Sequence, residues 1–332
     1  KFFCIKLLRY YSRKKLKKDY EEWLSKSHSH RSKKRLKARI DGTKTGKKYA
    51  KKMPLLKMLY DYVNRCYINT HVIYLMVVSL GNKDYIVDFH LVKKDNDSWN
   101  KIAKKMINIL LRFLGKRKTT LNYLRLSLDG AWGNGDMLLY LSNKGFKYVS
   151  IKSGGKDIVN YDGQTFNLKG LESYLSKEGS FKEFNPCHNL DGSYCSAIVH
   201  LDSKDIAIRL VLRRFPSSSK GYRYLMLLSS NTDVQNVKDY QIAQCYKDRW
   251  GIEECIKECK QVVDLTEYSF HSSNANNIEM FLSLRFCLYM TLNWYRVEHC
   301  RPSKTSLYDV ADRFRDFFRE IGYKEMWKLF SG

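Results

Sequence analysis

The chain has 332 residues, 44% hydrophobic and 14% aromatic, enough apolar matter for a packed core, which excludes a chain disordered throughout. Its 60 Lys and Arg against 34 Asp and Glu give a net charge of +26, a field that suits a polyanionic partner, with nucleic acid the default. No run reaches the roughly 18 consecutive apolar residues of a membrane span, and the nine cysteines include no CxxC pair, so they read as free thiols in a reducing compartment and not as a disulfide framework or a zinc site.

The charge is uneven. Residues 1–60 hold 21 Lys or Arg and only 4 Asp or Glu. Within them "YYSRKKLKKDY", "HRSKKRLKAR" and "KTGKKYAKKM" interleave Tyr with cations, a pattern suited to phosphate neutralisation with occasional stacking. The plain alternative is a solvated basic helix. Residues 1–35 are expected to form a basic helical segment that touches DNA. Because the chain starts at Lys1 and not Met, that segment is expected to be the remainder of a longer one.

Along the chain, Leu36, Ala38 and Ile40 alternate with Lys37, Arg39 and Asp41, a strand that Gly42 should end. Residues 55–68 read as mixed helical or irregular. Strands are predicted over 70–80 and 83–93, joined at the "GN" turn. A helix over 97–115 follows, with apolar residues at 102, 103, 106, 107, 110, 111 and 114 and Gly115 as its stop. "LRLSLDG" is a strand, "NGDMLLYLSNKG" a short helix and "FKYVSIKSG" another strand, so the order through residue 153 is β-β-β-α-β-α-β. Residues 155–235 are rich in turn residues among strand candidates such as "SYCSAIVHL" and "IAIRLVLRRF", which predicts an all-β insertion. Helix returns over 236–300, and 301–332 is predicted to be a helical tail. The fold class is therefore α/β, with strands and helices divided as 36–154, the insertion, and 236–300. His71 and His90, in apolar strand contexts, read as structural.

Two predicted strands end in Asp-Gly, at Asp41 and Asp129. Aspartates at the ends of neighbouring core strands can converge, and a helix carboxylate would complete a hard-oxygen site of the kind that Mg²⁺ prefers. Taken singly, each Asp-Gly is equally well turn chemistry. The third carboxylate comes from "YKDRWGIEECIKECK", residues 246–260. At 100° per residue, with Tyr246 at zero, Arg249 falls at about 300°, Glu253 at about 340° and Lys260 at about 320°. A solvated helix has no reason to keep Tyr, Arg, Glu and Lys in one narrow stripe. Such a stripe offers one metal-binding carboxylate among groups that hold phosphate oxygens.

The spacing Tyr246-x2-Arg249-x3-Glu253-x6-Lys260 resembles the Y-(2)-R-(3)-E-(6)-K signature of IS4-type DDE transposases. "LSLDGAWGN" resembles that family's second-aspartate segment, and "IDGTKTGKK" its first, although Gly42 replaces the second acid of the usual triplet. Asp88 in "YIVDFHL" competes with Asp41 for the first position, and Asp41 is preferred because Asp88 lies in the second or third strand and not the first. The resemblance implies an RNase H-like mixed sheet flanked by helices, with the insertion between the second Asp and the Glu. It implies that Asp41, Asp129 and Glu253 are catalytic and hold two Mg²⁺, with Mn²⁺ as a substitute. It also implies that Tyr246, Arg249, Lys260 and Lys257 hold DNA phosphates. Trp250 and Trp132 are candidates to stack on a frayed base, against a core role for each.

The implied activity is metal-dependent strand cleavage and strand transfer on double-stranded DNA, at inverted-repeat ends and at a target. A dimer is implied in the active complex, no membrane is involved, and the setting is the cytoplasm of a bacterium or archaeon, at the nucleoid. A DNA-binding relic without cleavage, and a plain RNase H-like nuclease, remain open.

Overall fold

The computed structural model describes residues 3–26, 36–46, 53–61, 65–93, 98–115, 118–153, 156–178, 180–217, 221–265, 274–300 and 305–330. Much of the basic sequence at 27–35 and 47–52 lies outside them, as does the proposed helix start at Asp97.

The chain opens with helix α1 (Phe3–Ser25) and strand β1 (Leu36–Gly46), then β2 (Lys57–Asp61), β3 (Cys66–Leu80) and β4 (Lys83–Leu91). Helices α2 (Trp99–Leu114) and α3 (Lys118–Tyr123) lead into β5 (Leu124–Leu128), and α4 (Gly135–Lys144) into β6 (Tyr148–Lys152). Next come β7 (Ile158–Tyr161), β8 (Gln164–Asn167), α5 (Leu168–Glu178), β9 (Lys182–Glu183), β10 (Ser193–Leu201), β11 (Ile206–Ser217) and β12 (Gly221–Ser229). Four helices finish the chain: α6 (Asp239–Lys247), α7 (Trp250–Gln261), α8 (Ala275–His299) and α9 (Leu307–Phe330).

Most strands join one mixed sheet in the order β2-β3-β1-β5-β6-β12-β11-β10-β7-β8, with β4 also on β3 and β9 on β10. β1 runs antiparallel to β3 but parallel to β5, and β5 is parallel to β6. This is a mixed sheet flanked by helices, consistent with an RNase H-like transposase. β5 is buried at all five positions, as a parallel strand covered on both faces should be. The seven apolar positions anticipated in α2 are its buried residues. They form one stripe at helical spacing, and the six larger than Ala103 are each worth about 1.5–3 kcal/mol when removed from water.

Three expectations need correction. Gly42 does not end β1, which stays paired to β3 as far as Gly46↔Thr70. Residues 57–61, expected to be irregular, form β2 on the lower half of β3; four of its five side chains are half-buried, so it shows no alternation to read. Residues 155–235 are not all β, because α5 packs its apolar face (Leu168, Leu171, Leu175) into the core there. Those strands do not form a separate sheet either: β12 pairs with β6 through Leu227↔Lys152 and Leu228↔Ile151.

The basic helix α1 is no free arm. Leu16, Tyr20 and Trp23 are buried, and Arg13 reaches β4, donating to the Val87 carbonyl and pairing with Asp88 at 3.5 Å. Lys14, Lys17 and Lys18 face solvent. Among the described residues, no helix is long and apolar enough to cross a membrane.

Candidate active site

The site is built on the face that β1 and β5 share. Lys37 is register partner to Arg125 and Arg39 to Ser127, and the parallel pairing ends at Ile40↔Leu128. Asp41 and Asp129 are the next residue on each strand. Adjacent strands lie about 4.8 Å apart, so the two aspartates stand side by side where the parallel pairing ends. There β5 stops and turns into a short 3₁₀ segment, Gly130–Trp132, whereas β1 continues along β3.

The helical segment that carries the third carboxylate is pinned along the same face, rung by rung. Asp248, in the joint between α6 and α7, accepts from Lys37 at 2.9 Å and from Arg125 at 2.7 Å, so one buried carboxylate ties the joint to both strands. One turn on, Gly251 lies against the Arg39 guanidinium. At the last rung, Arg249 Nη1 donates to Asp41 Oδ2 at 2.9 Å and Nη2 donates to Glu253 Oε1. The helix is not continuous: the Arg249 N–H bonds to the Tyr246 carbonyl at 2.9 Å, a tightened turn between α6 and α7. Both joint residues keep right-handed helical dihedrals, so the stripe survives. The Arg249 guanidinium also sits 5.3 Å over the Tyr246 ring.

Charge ties the groups together. The Asp41 carboxyl is pushed up to about 6, first by burial and also by the Asp129 and Glu253 charges, against the Gly42 N–H and Arg249. Burial works against the Arg249 cation, but Tyr246, Glu253, Asp41 and Asp129 outweigh it and hold the guanidinium protonated. Tyr246 is raised by burial and by the Asp129 charge. Three carboxylates therefore act on one another here, with a single arginine as their shared counter-ion.

Asp41, Asp129, Glu253, Arg249 and Tyr246 are thus brought together. Asp88 is not among them: it is buried against α1 with Arg13 as its partner. Lys260 lies on the last turn of α7, half-buried, with its ammonium shifted down by that burial. Lys257 faces a different cleft, shared with Glu258 and Arg296. Trp250 is 62% exposed. Trp132, offered as a stacking candidate, is instead in the core: it is 2% exposed, and its indole N–H donates to the Trp99 carbonyl at 3.3 Å.

Sequence reading missed two features. A cleft of about 560 Å³ that shares Tyr246 and Arg249 with the site is also lined by Lys37, Arg213, Lys247 and Trp250. Arg213 comes from β11, far away in sequence, and nothing in its neighbourhood marks it. The other is Tyr74, whose ring covers Gly42: an added Cβ there would stand 2.9 Å from Tyr74 Cε1. The Tyr74 phenol is pushed up to about 12 by burial and by the Asp41 charge. Gly42 is therefore what this packing requires, and an acid in its place would meet the ring.

The comparison with protein families decides the assignment. The model described as transposase DDE domain matches residues 7–291, nearly the whole chain. The chain belongs to the transposase DDE domain family. A search of curated proteins gave no match. As a member of this family the chain has a mixed α/β sheet flanked by helices.

Among the described residues, no three His, Cys, Asp or Glu side chains converge closely enough to hold a metal ion as they stand. In the carboxylate cluster Arg249 bridges Asp41 and Glu253. The donor chemistry nonetheless fits a hard divalent cation: every candidate ligand is a carboxylate oxygen, and Asp41 is raised first by burial and then by its two acidic neighbours, a penalty on the charged form that a cation relieves.

Proposed function

We propose that this DDE transposase domain cuts DNA at the ends of its own element and joins the freed 3′ ends to a target, in the manner of IS4-type enzymes. The observation that carries this reading is the rung of Asp41 and Asp129 just past the point where the parallel pairing of β1 and β5 ends, with Glu253 tied to Asp41 through Arg249.

Asp41, Asp129 and Glu253 would hold Mg²⁺ or Mn²⁺. The bound metal supplies a lowered pKa for the attacking water or 3′-hydroxyl and neutralises charge on the phosphate oxygens. This chain's own residues do the rest. Arg249 holds Asp41 and Glu253 in register until a substrate phosphate competes for its guanidinium, whose fork suits a phosphate as well as a carboxylate. Tyr246 supports Arg249 from beneath. Lys260 supplies a further cation along α7, and Trp250 offers an exposed aromatic face to a base next to the cut. Two copies of the chain would serve two DNA ends.

The test is cleavage of a labelled duplex carrying the flanking repeat, with Mg²⁺ or Mn²⁺ and with EDTA. Asp41→Asn, Asp129→Asn and Glu253→Gln should each abolish nicking and leave duplex affinity within about threefold, while Asp88→Asn keeps both. Metal-dependent nicking without strand transfer would make the protein a nuclease. Duplex binding with no nicking by the unaltered chain would make it a DNA-binding relic. Loss of binding in Glu253→Gln would mean that the residue is structural.

A further inference from the structure

Gly251 lies between Arg249 and Glu253, on the second residue of α7, with an ordinary helical backbone. Glycine weakens a helix relative to alanine, and no left-handed dihedral calls for it here. The reason is packing. A Cβ at Gly251 would stand 2.9 Å from both Cζ and Nη2 of Arg39 and 3.0 Å from Nη1. A point nearly equidistant at that range from all three atoms lies over the guanidinium plane, so α7 rests on a flat surface that admits only a hydrogen at this position.

Arg39 cannot swing aside. Its side chain is 6% exposed, Nη1 donates to Ser79 Oγ at 2.7 Å, and Asp84 Oδ1 stands 3.7 Å away. Ser79 in turn donates to Asp84, and Tyr289 on α8 donates to Asp84 and to Glu258 of α7, at 3.3 Å each. The guanidinium is fixed from below by the β3–β4 hairpin, which is itself tied to α7 through Tyr289. Arg39 also shares its β1 face with Asp41, two residues on. One strand therefore carries both the first carboxylate and the seat of the helix that carries the third. Arg39 and Gly251 together wall off the basic cleft from a second cleft of about 530 Å³ lined by Glu254, Lys257, Glu258 and Arg296.

We infer that Arg39 is a positioning residue for Glu253: its guanidinium plane, met by Gly251, sets the height and rotation of α7 and so the place of Glu253 relative to Asp41. The inference rests on the transposase reading only for the part of its test that uses cleavage. Buried and hydrogen-bonded to Ser79, Arg39 acts through α7 in this inference and is assigned no contact with substrate.

The experiment compares Gly251→Ala, Arg39→Lys and the double variant in the full chain. Three quantities are read: melting temperature, Mn²⁺ affinity by calorimetry, and kcat for duplex nicking beside duplex Kd. Gly251→Ala should lower the melting temperature, weaken Mn²⁺ at least tenfold and cut kcat about 100-fold, the scale of a ~1 Å misplacement, with duplex Kd unchanged. Arg39→Lys keeps the charge but loses the plane, and should fold while losing kcat. Added to Gly251→Ala, it frees room for the methyl group and should restore at least tenfold of the Mn²⁺ affinity.

A Gly251→Ala protein that melts higher than the original, as alanine does in an unhindered helix, overturns the inference. So does a double variant no better than the two single losses combined. If the unaltered chain binds Mn²⁺ but cuts no DNA, the transposase activity fails, while the melting and Mn²⁺ results still decide the role of Arg39.

Discussion

At the scale of single residues the site is governed by unequal environments for like groups. Asp41 is pushed up to about 6 because it is buried and has two acidic neighbours, with one arginine against them. If Asp41 is the metal ligand proposed above, a proton and the metal ion compete there. As pH falls through about 6 the folded protein increasingly holds the proton there, and a metal ion would have to displace it. Mn²⁺ affinity measured by calorimetry from pH 5 to 8 should be flat above about 6.5 and fall several-fold per unit below 6. In Asp41→Asn that dependence should disappear along with most of the affinity. A wild-type profile flat down to pH 5 would mean that Asp41 is no ligand.

At the scale of elements, the joint between α6 and α7 is the part most exposed to damage. Asp248 is buried and accepts from two cations on two strands, and those cations are register partners. Removing the carboxylate leaves Arg125, itself nearly buried, without its charge partner, and uncompensated buried charge is costly. Asp248→Ala should lower unfolding free energy by about 3 kcal/mol in urea titrations and reduce nicking, with Asp248→Asn intermediate. A loss under about 0.5 kcal/mol would show that the joint is held by other contacts. The same logic explains the departure at Gly42, where Tyr74 occupies the space that a longer side chain would take.

At the scale of the whole molecule, charge and sheet continuity matter most. The +26 charge predicts duplex binding that weakens steeply with salt. If Lys260 holds one phosphate, Lys260→Ala should reduce the slope of log K against log salt by about one, measured by fluorescence anisotropy; an unchanged slope would remove it from the interface. The sheet has no break between core and insertion. A second apolar cluster joins Tyr148 of β6, Val211 and Leu227 of β11 and β12, and Ile242 and Ala243 of α6. Helix α6 is thus packed on strands from both parts, so segment 155–235 is a structural support for α6.

The sequence alone determined the class of the fold, the carboxylates to consider and the stripe on residues 246–260. Strand alternation, a helical period and fixed spacings are local properties that survive without tertiary contacts. Chain order favoured Asp41 over Asp88, which lies in a later strand, but only pairing put Asp41 beside Asp129 and Asp88 against Arg13. The sequence could not tell Trp132 from Trp250, since exposure of a tryptophan is decided by what packs on it. Nor could it find the Lys37–Arg125 rung beneath Asp248, the Tyr74 ring over Gly42, or the Arg39 plane beneath Gly251. Each of these joins residues distant in sequence, and it is the sheet register that brings them within reach of one another.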